Sequence, residues 1–166
     1  MKKLTKLICP FIAVILLGSA SAKSTSIKGA PQVLKGTWVT KAVKAEPIVE
    51  DAIYQKNILF VTNRSIDEAG LFYKTKTKPA KPFNSAGGAI NSGLKYTKHG
   101  KTYYLSTREG KIRYHYKVKM INQKQMKVYF GNSYTKKQPK KWESSGKYYK
   151  QSTKIVTFTT KYQFKY

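Results

Sequence analysis

Residues 93–131 confine the fold more than any other stretch of the chain. Ile112, Tyr114, Tyr116, Val118 and Met120 alternate with Arg113, His115, Lys117 and Lys119. A period of two sends successive side chains to opposite faces of a strand. Two near-identical turn signals come before it, Lys98-His99-Gly100-Lys101 and Arg108-Glu109-Gly110-Lys111. Each supplies the Gly that a two-residue hairpin turn needs for positive φ. With His99-Gly100 and Glu109-Gly110 as the central residues, Leu94 pairs with Leu105 and Tyr96 with Tyr103. The second turn then pairs Leu105 with Tyr114 and Tyr103 with Tyr116. Both turns select the same apolar face, an agreement that a one-residue slip would destroy. A three-residue loop, Asn122-Gln123-Lys124, returns the chain with Met126, Val128 and Phe130 opposite Met120, Val118 and Tyr116. The segment is expected to be a four-stranded antiparallel meander with one apolar and one cationic face.

Strand composition recurs at residues 34–40, 57–62, 70–74 and 146–150. It recurs again at 154–166, where Val156, Phe158, Thr160, Tyr162 and Phe164 share a face. Long loops separate them at 75–92 and at the basic run 136–141. No strong helix pattern occurs beyond the first residues. An antiparallel sheet with one apolar face must fold over on itself. The expected fold class is therefore mainly β: a meander of about eight strands closing into a small barrel or sandwich. The 166 residues suit one domain, placed at 34–166 after a flexible leader at 23–33. A charge of +26 opposes compaction, but 40% hydrophobic residues, including many Tyr, Val and Ile, counter it. A single Cys excludes a disulfide scaffold and a thiolate metal site.

Residues 1–22 read as a signal peptide. Lys2, Lys3 and Lys6 precede a short apolar run at 7–17, and Ala20-Ser21-Ala22 supplies the small-x-small cleavage pattern. The run is too short to span a bilayer, which takes ~20 residues, so no transmembrane segment is expected. Cleavage would remove Cys9, three lysines and none of the seven acids, lowering the charge from +26 to +23. The expected location is extracellular, with cell-wall association open.

Gly36-Thr37-Trp38 resembles the Gly-x-Trp opening of lipocalin-like β-barrels, in which the Trp plugs the closed end. The Lys/Tyr-rich composition is similar to small secreted proteins of lactic acid bacteria. The resemblance implies a barrel. It also implies an alternative function as carrier of a small apolar ligand, with Trp38, Tyr96, Tyr103, Tyr116 and Phe158 lining a cavity; plain core packing is the other role open to them. The arginines are Arg64, Arg108 and Arg113, so no late arginine is available to cover the Trp.

The residues offer little for catalysis. The chain has two His, with His99 in an expected turn and His115 on the cationic strand face, and no phosphate-binding Gly loop. No enzyme activity, cofactor or metal is expected. The cationic face carries more. Lys95, Tyr104 and His115 are expected in one row, Thr102, Lys117 and Tyr129 in the next, with Lys119 opposite Lys127. Like charges directly opposite are destabilising, and a polyanion would relieve them. Lysines with interleaved Tyr104 and Tyr129 suit phosphates and sugars. Thirty Lys against three Arg argue against base readout and nucleic acid. An anionic cell-wall polymer of the teichoic type is the expected partner, and an anionic lipid surface the second. A secreted antimicrobial or inhibitory role is a further alternative.

Overall fold

The structure is a computed structural model that describes residues 25–45, 47, 49–75, 82, 84–87, 92–135 and 137–153. The signal segment 1–22 and the strand expected at 154–166, with Phe158, lie outside the described residues. Eleven strands are described: β1 (Ile27–Lys28), β2 (Gly36–Thr40), β3 (Val43–Lys44), β4 (Tyr54–Val61), β5 (Ile66–Tyr73), β6 (Asn84–Gly87), β7 (Ser92–His99), β8 (Thr102–Glu109), β9 (Ile112–Asn122), β10 (Gln125–Ser133) and β11 (Glu143–Ser152). They form one antiparallel sheet in the order β1-β7-β8-β9-β10-β11-β2-β4-β5-β6, with β3 pairing beside this path on β4. The mainly β class holds. The described strands exceed the expected eight, and their ladder ends at β1 and β6 without closing.

The meander forms at β7–β10, but its first two turns sit one residue later than expected. His99 pairs with Thr102 and Glu109 with Ile112, so the central residues are Gly100-Lys101 and Gly110-Lys111. The glycines then occupy the first central position with φ of +56° and +55°, while Asp51 is the one non-glycine with positive φ among the described residues. Glycine first and an ordinary residue second is the φ signature of a type II′ turn, whose twist matches the flanking strands. Each shift moves the partner by a whole pleat, so the faces survive and the pairs change. Tyr96 meets Leu105, Lys98 meets Tyr103, Leu105 meets Tyr116, and Tyr103 meets Val118. The third return is as expected, with Met126 on Met120, Val128 on Val118 and Phe130 on Tyr116. There the turn narrows to Gln123-Lys124, because Asn122 pairs with Gln125 and a bulge follows.

The segment expected as a loose leader is also part of the sheet. Ile27 pairs with Tyr96 and Lys28 with Lys95, Ala30 is buried, and Gln32–Leu34 forms a turn of 3-10 helix.

One face of the sheet gathers Leu34, Trp38, Leu59, Val61, Ile66, Leu94, Tyr103, Leu105, Tyr116, Val118, Met126, Val128 and Tyr148 into a core. These residues come from strands at opposite ends of the ladder, so the sheet must curl around them. One backbone bond ties β7 to the far side of the ladder: Leu94 N–H donates to Arg64 O, in the β4–β5 turn, at 3.2 Å. The opposite face of β4 and β5 buries a second cluster, Ile58, Phe60, Ala69, Leu71 and Tyr73. With both faces covered, β4 reads as a continuous apolar run instead of an alternating one.

Candidate polyanion-binding face

The outer face of β9, β10 and β11 carries a row of ammonium groups. Lys119 lies directly opposite Lys127, and Lys127 directly opposite Lys147; all three are exposed. The next row is Tyr104, Lys117 and Tyr129. Lys117 Nζ stands 5.4 Å from the Tyr129 ring centroid, and Lys147 and Lys41 stand 5.5 and 5.7 Å from that of Tyr149. Those are cation–π distances, so the tyrosines hold the ammonium groups without neutralising them. The two salt bridges among the described residues, Lys74–Asp51 and Lys141–Glu143, involve none of these lysines. The face is thus a positive surface with aromatic spacers.

Lys95, Tyr104 and His115 do not form a single row. Lys95 and His115 flank Ser106, while Tyr104 sits one row away between Thr97 and Lys117. They nevertheless meet at one pocket of about 160 Å³, which Ser106, Gln138 and Trp142 also line. Trp142 and Gln138 come from the loop between β10 and β11, which lies over this end of the face. The Tyr104 ring is the pivot of an aromatic cluster, 5.7 Å from His99 and 6.3 Å from Trp142, both edge-on.

His115 departs from its expected place on the surface. It is 4% exposed, and its Nε2 lies 2.9 Å from Ser133 Oγ. The Ser133 hydroxyl in turn donates toward Thr135 O and Lys137 O, at 2.9 and 3.1 Å. With the hydroxyl proton so used, the His115 Nε2–H must be the donor to Oγ. Burial, and secondarily the charge of Arg113, push its pKa below the usual value, which suits a neutral ring serving as a fixed post for the loop.

The residues read as cavity lining lie mainly in the core. Trp38, Tyr103 and Tyr116 are buried members of it and half-buried Tyr96 packs against it, its ring 6.2 Å from that of Tyr103. Trp38 Nε1–H donates to Leu34 O at 2.7 Å. Its ring is covered after all, by Lys150, whose Nζ sits 4.9 Å from the centroid and donates to Val33 O at 3.1 Å. Burial pulls the Lys150 pKa down. On the same inner face Glu68 accepts hydrogen bonds from the Tyr148 hydroxyl and from Ser145. Burial outweighs both bonds and raises the Glu68 pKa, and the Tyr148 and Tyr116 phenols are pushed up by burial and by the carboxylate beside them.

Lys41, Lys147, Tyr149, Gln138 and Trp142 were not legible as site residues. Their place depends on β11 pairing with β10 and β2 and on where the connecting loop lies. Among the described residues, no cluster of His, Cys, Asp or Glu is placed to hold a metal ion, and no helix is long and apolar enough to cross a membrane. Comparison with protein-family models, with curated proteins and with solved structures finds no match.

Proposed function

We propose that the chain is exported and acts, without catalysis, as a cationic β-domain that associates with anionic polymers of the cell envelope. The observation that carries this reading is the Lys119–Lys127–Lys147 ladder. Each pair of like charges directly opposite costs up to ~1 kcal/mol. Strands lie ~4.8 Å apart, so three ammonium groups in register form a line that a phosphate polymer can follow. Lysine supplies point charge without the fixed fork that reads bases, which favours a repeating phosphate over nucleic acid. The signal-like pattern of residues 1–22 supports a partner outside the membrane.

The curled sheet is read as a lipocalin-like barrel. Gly36-Thr37-Trp38, the Lys150 cover on Trp38 and the tie between Leu94 and Arg64 support that reading. The carrier alternative is weakened by the packing of Trp38, Tyr103 and Tyr116 inside one core.

Retention of the purified protein on immobilised poly(glycerol phosphate), beside phosphatidylglycerol vesicles, tests the function. Changing Lys119, Lys127 and Lys147 together to Gln should weaken retention on the polymer far more than changing the dispersed Lys35, Lys74 and Lys124. Equal losses from the two triple variants would reject the ladder. Stronger binding to the vesicles than to the polymer would move the partner to the membrane surface.

A further inference from the structure

The pocket at Lys95, Tyr104 and Trp142 has features that charge neutralisation alone does not call for. Its 160 Å³ falls below the ~300–1,000 Å³ of sites for drug-sized ligands, so it has room for one small unit. Tyr104 and Trp142 meet at 65° and offer ring faces at an angle, a surface suited to the C–H groups of a sugar or polyol. Ser106 and Gln138 line the same space. Neither has a side-chain hydrogen bond among the described residues, so a hydroxyl and an amide remain for a ligand's hydroxyl groups. Lys95 also lines the pocket, where its ammonium group suits a phosphate, and its cross-strand partner is Lys28. His115 holds Ser133, whose hydroxyl reaches Thr135 O and Lys137 O, which anchors the loop that delivers Gln138 and Trp142.

We propose that this pocket takes one sugar-phosphate or polyol-phosphate unit of the polyanion held by the lysine ladder. The inference rests on the polyanion reading and gives it a chemical preference: the ladder binds charge, and the pocket selects the carbon-bearing unit.

The full chain has two Trp. Trp38 is wholly buried, so a change in emission on adding a small ligand reports on Trp142. Titration with glycerol 1-phosphate and with glucose 1-phosphate should give a saturable change. Inorganic phosphate and glucose should each require at least tenfold more. Lys95→Gln, at an exposed side chain, should weaken both sugar-phosphate and polyol-phosphate binding at least tenfold, and Tyr104→Leu should do the same with its melting temperature checked. The triple Gln change at Lys119, Lys127 and Lys147 should leave this binding intact. Inorganic phosphate binding as well as the organic phosphates, or an unaltered Lys95→Gln titration, would overturn the proposal.

A second readout separates the pocket from the ladder. Wild type should prefer poly(glycerol phosphate) to polyphosphate, and Lys95→Gln should lose that preference while still being retained by both. Salt-sensitive retention with no preference would sink the pocket and leave the polyanion reading standing. Retention by neither polymer would end both.

Discussion

Glu68 and His115 are titratable groups set where the sheet takes them out of water, and their shifts have opposite consequences. The Glu68 pKa is raised by burial, so the folded state holds the proton more tightly than the unfolded one. Its stabilising contribution is complete below the ordinary value of 4.5 and is lost as pH rises through the folded value. Glu68→Gln should therefore melt higher than wild type at neutral pH, with the gap closing toward pH 4 in paired thermal scans. A gap independent of pH would show that the carboxyl is not the source. The His115 pKa is lowered, so the folded state resists a proton that the unfolded chain accepts. That contribution is present above the ordinary value of 6.5 and lost as pH falls through the folded value. Amide exchange across residues 133–137 should speed up over that interval in wild type and show no such step in His115→Gln. Burial also means that His115 is not the surface residue that the alternating pattern suggests. Both His115→Lys and Tyr116→Lys place a charge in a buried site, and both should destabilise by several kcal/mol.

At the scale of strands and turns, the glycines test the register. A Cβ on Gly100 or Gly110 would meet nothing within 4 Å, so alanine there costs only the strained φ, about 1–3 kcal/mol. Gly36 has φ of +121°, and a Cβ on it would run into the Ser152 carbonyl of β11. Gly36→Ala should therefore lower the urea midpoint more than Gly100→Ala does; the reverse order would contradict the β2–β11 pairing. This close approach gives a physical reason for the Gly in Gly36-Thr37-Trp38. It lets β2 press against β11, whose Lys150 then reaches across the Trp38 ring. The meander strands β8 and β9 were legible because one face is apolar and the other cationic. β4 gave a fainter signal, since Ile58 and Phe60 are buried on one face and Leu59 and Val61 on the other, which erases the alternation. The sequence pattern alone sets the hairpin turns one residue early because Gly satisfies either central position of a two-residue turn, depending on its type. The alternating pattern cannot detect the resulting shift, which moves partners by a full pleat and leaves every face unchanged.

For the whole molecule, the charge of +23 that remains once residues 1–22 are removed should govern adhesion. Counterion release makes the logarithm of affinity for a phosphate polymer fall linearly with the logarithm of salt, with a slope near −0.9 per neutralised phosphate for duplex DNA. Retention on poly(glycerol phosphate) should fall steeply with added salt, and the ladder variant should show a shallower slope. A slope unchanged by the variant would place the contact elsewhere. Export is tested separately: the protein recovered from medium or wall should begin at Lys23, and retention of residues 1–22 would remove the argument for an extracellular partner. Sequence by itself determined the β class, the two faces of the meander and the cationic character of one of them. Each of these depends on residue type and a period of two, both local properties of the chain. Tertiary structure alone decided the rest. It set Lys147 beside Lys127, carried Trp142 and Gln138 over Tyr104, buried His115 beneath a loop, and supplied Lys150 as the cover for Trp38. Those relations join residues far apart in the chain. They arise because a sheet with one apolar face must curl to bury it, and the curl chooses which distant strands and loops meet.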